Sequence, residues 1–324
     1  KRPEQNHQSG RVQTYYESAG RYNADGAWNT SWDDWSIKFT GGRNYFDGFS
    51  DREQERALPW NPKEQYFATA ELQKRFDQWL IRYKAEGFRE EISNRGAPGS
   101  IDSLVAVVDT GAWLYPRALD DTYITHRFNQ NIAANYYFNP DLKWRSFASY
   151  NYYRRRKNTR IKNLHTGGEK LFPDPSAQDT TQFHLFSSRG FLDHQWLDKL
   201  TYQLGYEVSY EQNEGPRIEG ASKQAMDLAL FTTLDYAPTQ GLTVQPGLRY
   251  GYNNRFDAPL IPSLALRYEL PGNYIIRASY GRGFRAPNLK ELYFNFVDEN
   301  HNIRGNEDLK AERSHSFQLS TNWS

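Results

Sequence analysis

The side chains of this 324-residue chain that could bind a charged ligand are concentrated in one basic segment. It reads Arg154-Arg155-Arg156-Lys157, continues to Arg160 and Lys162, and is followed by His165. Guanidinium and ammonium groups in such a patch could attract the carboxylates or phosphates of an anionic ligand. A solvated charged loop has the same composition, so both interpretations stay open.

Other site chemistries are not indicated by the residues present. The chain has no cysteine, which removes disulfides and thiolate metal sites. Asp298-x-Asn300-x-Asn302 starts like a calcium loop, but glycine falls at its eighth position and Leu309 occupies the twelfth, where a bidentate Glu is needed. Motifs of serine hydrolases, P-loop proteins and zinc proteases are missing, so we expect no enzymatic activity. A net charge of +1 argues against a nucleic-acid partner.

The segment from Lys199 to Glu211 indicates how the chain is built. Every second residue is large and apolar or aromatic, and the residues between are mainly polar or charged. Side chains of a strand alternate between its two faces, so one face would be apolar and the other wet. Such alternation over thirteen residues is longer than most globular strands and suits a strand that crosses a bilayer. The apolar set is Leu200, Tyr202, Leu204, Tyr206, Val208 and Tyr210.

Similar alternation predicts thirteen strands along the chain. The connections between them alternate between short and long, which is typical of an up-and-down membrane barrel with tight periplasmic turns and long outer loops. The predicted strands are 10–19, 26–40, 64–77, 79–91, 122–138, 142–155, 179–191, 198–212, 225–237, 241–255, 262–270, 273–283 and 313–323. Short turns are predicted at Asn139-Pro140-Asp141, Asp193-His194-Gln195, Pro238–Gly241 and Pro271-Gly272-Asn273. The predicted long loops are 41–63, 92–121, 156–178, 213–224 and 284–312, with 256–261 the shortest of the set.

The fold class predicted from this pattern is all-β. We expect a partial transmembrane antiparallel β-barrel, with residues 1–324 as a single domain. Aromatic residues make up 16% of the chain, which suits the aromatic girdles at the membrane interfaces. A soluble propeller or sandwich also has half-buried alternating strands, but no blade motif repeats at the propeller period.

Two motifs near the C-terminal end carry a family resemblance. Arg282-Gly283-Phe284-Arg285-Ala286-Pro287-Asn288-Leu289-Lys290-Glu291-Leu292-Tyr293 is followed by Gly305-Asn306-Glu307-Asp308-Leu309-Lys310-Ala311-Glu312. This pair resembles the FRAP and NPxL boxes of TonB-dependent outer-membrane receptors, with Glu307 in place of the proline of the second box. The motif residues carried over are Phe284, Arg285, Ala286, Pro287, Leu289, Glu291, Tyr293, Asn306, Asp308 and Leu309. Their structural interpretation, in which Gly283 and Pro287 set a turn and Arg285 forms ion pairs, competes with direct contact to a ligand.

The resemblance implies a barrel of about 22 strands with a plugged lumen in the bacterial outer membrane. About thirteen of those strands would lie in this chain, while the plug and the last strands would lie outside it. The implied partners are the TonB complex, reached through the plug, and outer-membrane lipid and lipopolysaccharide. A surface lipoprotein that hands over the ligand is a further candidate.

The position of His301 between the two boxes resembles the haem-receptor subgroup, where a histidine there is an axial iron ligand. The implied cargo is haem or a haemoprotein, with His165 as a candidate second ligand and Tyr293 and Phe294 as rings that could stack on the porphyrin. Haem would be transported and would not be a resident cofactor. A siderophore or cobalamin receptor needs no axial histidine. A passive porin or adhesin barrel, and a soluble carbohydrate-binding β-protein, are alternatives outside this class.

Overall fold

Strands dominate the computed structural model, which describes residues 7–51, 56–99, 116–297 and 302–323. The only α-helix among these residues is α1 (Leu289–Tyr293), and one 3-10 turn covers Pro175–Ala177. The strands are β1 (His7–Glu17), β2 (Arg21–Trp32), β3 (Trp35–Phe46), β4 (Lys63–Phe76), β5 (Trp79–Arg95), β6 (Arg117–Tyr137), β7 (Leu142–Asn163), β8 (Glu169–Leu171), β9 (Asp179–Leu197), β10 (Leu200–Glu214), β11 (Ser222–Thr239), β12 (Leu242–Asn253), β13 (Ile261–Leu270), β14 (Tyr274–Arg285), β15 (Asn295–Val297), β16 (Asn302–Arg304) and β17 (Glu312–Trp323). No helix in the described ranges has the length and apolar composition needed to cross a membrane.

The long strands follow one another in a single antiparallel sheet, which confirms the all-β barrel-wall architecture. The order is β1-β2-β3-β4-β5-β6-β7-β9-β10-β11-β12-β13-β14-β17, with β8 added to β7, and β15 pairs with β16 separately. The chain divides into two compact units. Unit 1 contains Lys1–Leu72, Lys84–Asn129 and Tyr152–Gln182, and unit 2 contains Gln73–Tyr83, Gln130–Asn151 and Phe183–Ser324. The assignment of residues 1–324 to a single domain stays a prediction.

One face of unit 2 is apolar and exposed, as the alternation in β10 predicts. Tyr206 pairs with Leu230 of β11, and Leu230 pairs in turn with Tyr250 of β12. Leu230 is 66% exposed and Tyr250 is 64% exposed, so this face does not pack onto a protein core. We call it the apolar face of unit 2. Its exposed large side chains are Leu204, Leu228, Leu230, Leu234, Tyr236, Leu248, Tyr250, Tyr252, Leu264, Leu266, Tyr268, Tyr274, Ile276, Phe317, Leu319 and Trp323.

The opposite face of unit 2 is polar and held by ion pairs. Glu207 accepts from Arg189 at 2.9 Å and also pairs with Arg249. Asp193 accepts two hydrogen bonds from the guanidinium of Arg145, at 2.7 and 3.0 Å. These contacts join neighbouring strands across a half-exposed wall, as expected for the wet side of a barrel.

Two predicted boundaries are wrong, the first because of a backbone turn and the second because of side-chain contacts. The strand predicted at 26–40 is two strands, because Asp33 adopts a left-handed φ of 47° and starts a two-residue turn between β2 and β3. The described sheet path therefore has fourteen strands. The predicted turn Asp193-His194-Gln195 lies inside β9, since Asp193 binds Arg145 and His194 binds Tyr202 across the sheet.

Strands β5, β6 and β7 also extend into the regions predicted as loops 92–121 and 156–178. The long connections remaining between strands are consequently 47–62, 96–116 and 164–178, with 215–221, 254–260 and 286–311 further along. The basic segment at 154–157, predicted to open a loop, is part of β7 instead.

Candidate functional site

A short capped helix, α1, follows the end of β14 and organises the first motif. Asn288 is its N-cap: the Oδ1 atom accepts from the Glu291 backbone at 2.9 Å. The Glu291 carboxylate in return accepts from the Asn288 backbone at 2.8 Å. This reciprocal capping box satisfies backbone N–H groups at the helix start, so a helix of five residues is stabilised locally.

Ion pairs join the first motif to the beginning of β17. The guanidinium of Arg285 donates to Glu291 and, at 3.0 Å, to Glu312. The backbone N–H of Asn288 and the charge of Arg285 lower the pKa of Glu291 below its ordinary value. Arg285 therefore has the ion-pairing role that the structural interpretation of the motif predicts.

The second motif packs directly against the first. The Gly305 backbone donates to Phe294 O at 2.7 Å, and the Asn306 backbone donates to Glu291 O at 2.9 Å. A Cβ on Gly305 would lie 2.5 Å from Leu292 O, so only glycine allows this approach. The Asn306 side chain accepts from Asp308 at 2.9 Å, and the Leu309 backbone donates to Asn306 O at 3.4 Å. The turn thus forms with Glu307 in the position of the family proline.

A small hydrophobic core, which we call the loop core, lies beneath α1. It consists of Ile218, Leu289, Leu292 and Tyr293, and Leu289 is only 1% exposed. Two backbone hydrogen bonds fix the 215–221 connection to this core, from Glu219 N to Tyr293 O at 3.0 Å and from Asn295 N to Arg217 O at 2.8 Å. The ring of Tyr293 is 6% exposed, so it presents little surface on which a porphyrin could stack.

Cations surround the loop core and contact its aromatic rings. Arg217 lies 3.7 Å from the ring centroid of Phe296, and Lys290 lies 5.2 Å from that of Phe294. Lys223 and Arg255 lie 4.1 and 5.0 Å from the Tyr293 ring, and Arg255 also donates to the Tyr293 hydroxyl. Cation–π contacts hold these charges in place against the rings. We refer to Arg217, Lys223, Arg255 and Lys290 as the loop cations.

Sequence reasoning missed the contribution of the 215–221 connection. Two loop cations, Arg217 and Lys223, lie in or next to this connection, about 60 residues before the first motif. One signal was available, because Ile218 is an isolated aliphatic residue in a polar Gly-Pro-Arg-Ile-Glu-Gly loop. An apolar side chain in such a loop suggests a packing partner elsewhere.

The other predicted site residues are not part of this cluster. His301 lies outside the described residues, so its ligand role stays a prediction. His165 follows β7 in unit 1, where its backbone donates to Asn163 at 2.9 Å. Arg155 stacks on Tyr123 at 4.7 Å, while Arg154 and Arg156 extend from the other face of β7.

Comparison with known proteins agrees with this architecture. Residues 91–324 match the family model described as TonB dependent receptor-like, beta-barrel, and the chain belongs to this family. The family is one of outer-membrane transport receptors, and this chain is accordingly a barrel-wall segment of the bacterial outer membrane.

Three relatives indicate the range of the similarity. The Ferric enterobactin receptor of Pseudomonas aeruginosa is 26% identical over 216 residues, which cover 55% of this chain and 28% of that protein. Hemoglobin-haptoglobin-binding protein A of Haemophilus influenzae is 42% identical over 50 residues, covering 15% and 5%. The crystal structure of the siderophore receptor PirA from Pseudomonas aeruginosa superposes with a TM-score of 0.64 at 18% identity, covering all of this chain and 54% of that one. The chain thus spans about half or less of the length of the proteins it matches.

Proposed function

We propose that the receptor containing this chain takes up an anionic ferric siderophore and binds it with an extracellular surface that includes the loop cations. The observation that carries the proposal is the set of four cations fixed on the loop core. Two relatives, named as a ferric enterobactin receptor and a siderophore receptor, support the ligand class.

The loop core suits recognition because its cations are held before any ligand arrives. Flexible lysine and arginine side chains lose conformational freedom when they bind, and this loss weakens binding. Contacts with Tyr293, Phe294 and Phe296 remove part of that freedom in advance. Charges held on one side of a ligand-binding mouth also steer anions towards it.

Transport in this proposal needs parts outside the chain. A plug would close the lumen, and the TonB complex would act on that plug to open a path. The polar wall formed by Glu207, Arg189 and Arg249 would face the lumen through which the cargo passes. A surface lipoprotein stays a candidate partner only if the cargo arrives on a carrier protein.

Haem is the second candidate cargo. A short, 42% identical match to a protein named for binding hemoglobin–haptoglobin supports it, as does the position of His301 between the two motifs. In that case His301 would supply a neutral imidazole to the haem iron. Substitution of His301 can distinguish the two cargoes, because haem iron would use this residue as an axial ligand and a ferric siderophore would not.

The two cargoes can be separated by titrating the purified receptor with ferric enterobactin and with haemin. We expect Lys223→Gln with Lys290→Gln to weaken ferric enterobactin binding by about tenfold, since each removes one nearby cation. The matched control is Lys310→Gln, an exposed lysine of the same connection that is not part of the loop core. Equal affinity of the double variant and the wild type for ferric enterobactin would contradict the proposal. Haemin binding with a Soret shift that His301→Ala abolishes, without ferric enterobactin binding, would establish the haem alternative.

A further inference from the structure

Unit 1 also has an exposed aromatic face, formed by paired residues of β2 and β3. Tyr22 pairs with Tyr45, Trp28 with Phe39 and Trp32 with Trp35, so these rings share one face of the sheet. The Trp28 and Phe39 rings stack with centroids 6.0 Å apart. From Tyr22 to Trp32 the strand rises ten residues, or about 25 Å after allowing for a tilt of about 40°, which is the height of the apolar band of a membrane barrel.

Cations lie on the same face of unit 1 at the end nearer the long loops. Arg43 is two residues from Tyr45, lies 4.7 Å from its ring, and pairs with Glu64 at 2.7 Å. Tyr66, Arg89, His126, Tyr152 and Arg154 then line one cavity of about 600 Å³ across β4, β5, β6 and β7.

These cations lie towards the outer ends of their strands, away from the short turns. Arg43 lies eight residues from the turn end of β3, Arg89 ten from that of β5, Arg154 twelve from that of β7 and Arg156 fourteen. With the same rise and tilt, these positions are at about 20 to 35 Å, which extends from the upper part of the apolar band into the layer above it. This is the level of lipid headgroups.

The cluster carries unneutralised positive charge. Arg43 is balanced by Glu64 and Arg89 by Glu91, each at 2.7 Å. Arg154 and Arg156 have no ion-pair partner in the described part of the chain, and the Arg154 Nε atom is buried there without a hydrogen-bond acceptor. Arg154 lines the cavity, and Arg156, two residues further along β7, projects from the same face of the sheet. A buried donor without an acceptor is unfavourable unless a ligand supplies one.

We propose that Arg154 and Arg156, with Arg89 and Arg43 beside them, form a binding site for the phosphate groups of lipopolysaccharide in the outer leaflet. Guanidinium groups bind phosphate oxygens in a bidentate manner, and the aromatic rings below them contact acyl chains at the headgroup boundary. The site faces lipid. Arg155, on the opposite face of β7, belongs to another environment and stacks on Tyr123. The transported ligand plays no part in this proposal, so it does not depend on the cargo proposed above.

The test uses the full receptor, delipidated in mild detergent, and native mass spectrometry to measure binding of lipid A. We expect R154Q/R156Q to lower lipid A affinity by tenfold or more. The matched control is R155Q, which removes the same charge from the adjacent residue on the opposite face and should stay within twofold of the wild type. Heat-modified migration on gels and circular dichroism establish that each variant is folded.

Two further ligands distinguish a phosphate site from general adhesion. Dephosphorylated lipid A should bind the wild type at least tenfold more weakly than lipid A. Inorganic phosphate alone, at concentrations up to millimolar, should not compete, because the acyl chains and the aromatic rings contribute to binding. The proposal is overturned by equal lipid A affinity of R154Q/R156Q and wild type, by an equal loss in R155Q, or by dephosphorylated lipid A binding as well as lipid A. Competition by free phosphate at low concentration would also overturn the proposal, because the site would then bind any phosphate without needing the lipid.

Discussion

Removing the side chain of Leu289 tests whether the loop core holds the extracellular connections in place. Leu289 is 1% exposed and is the most completely buried large side chain of the described residues. Leu289→Ala deletes three buried carbon groups, for a transfer loss of about 2.4 kcal/mol, and the unfilled cavity adds to it. The expected destabilisation of the loop core is about 2.5 to 4 kcal/mol, which corresponds to a roughly 60- to 700-fold increase in its opening equilibrium.

Hydrogen exchange measured by mass spectrometry on the receptor in detergent reports this opening directly. We expect faster exchange in peptides covering 215–221 and 286–296, because both connections depend on the loop core, and no change in β10 to β13. Leu309→Ala is the matched control: Leu309 lies in the same connection but is 38% exposed, so its truncation should cost well under 1 kcal/mol. Equal exchange in Leu289→Ala and wild type, or faster exchange confined to 286–296, would refute the coupling of the two connections.

Three further outcomes follow from the wall and the helix cap. Glu207→Gln should lower the thermal unfolding midpoint, because two arginines lose their shared partner, while Glu71→Gln, at the end of a loose 3.9 Å pair, should change it little. Leu230→Arg places a charge on the lipid face and should destabilise the folded barrel by about 2 to 4 kcal/mol, which lowers the folded fraction on heat-modified gels, whereas Thr233→Arg on the opposite face should be tolerated. The pKa of Glu291 is lowered in the folded loop, so its stabilisation is full above the ordinary value of 4.5 and disappears as pH falls through the lower folded pKa. Hydrogen exchange around α1 should therefore accelerate over that acidic range in the wild type, and Glu291→Gln should remove this pH dependence.

The wall of the barrel could be predicted from sequence because each strand faces two different solvents. Tyr206 and Val208 alternate with polar residues, and their cross-strand partners Leu230 and Leu228 are apolar on the same face. Boundaries depended instead on contacts that sequence does not show. Asp193-His194-Gln195 has turn-forming composition, yet Arg145 and Tyr202 hold Asp193 and His194 in β9.

The candidate site could be predicted only in part, for a similar reason. The two motifs around Arg285 and Asn306 could be recognised from sequence, and in the structure hydrogen bonds and ion pairs join them. The packing of Ile218 against Leu289 joins segments far apart along the chain, and nothing local in either segment specifies the partner. Arg154 and Arg156 lie on one face of β7 and Arg155 on the other. This division follows from the strand conformation of the segment, which was predicted as the start of a loop.

The central claim is that the apolar face of this wall contacts lipid and that its opposite face contacts water. The chain contains no cysteine, so a spin label can be placed at single positions from 228 to 235 of β11 without competing sites in this chain. In receptor reconstituted into bilayers, labels at even positions should be relaxed by oxygen dissolved in lipid, and labels at odd positions by a water-soluble nickel complex. A period of two in this accessibility is the predicted result. Equal aqueous accessibility at every position, or protection of the even positions from both reagents, would contradict the account.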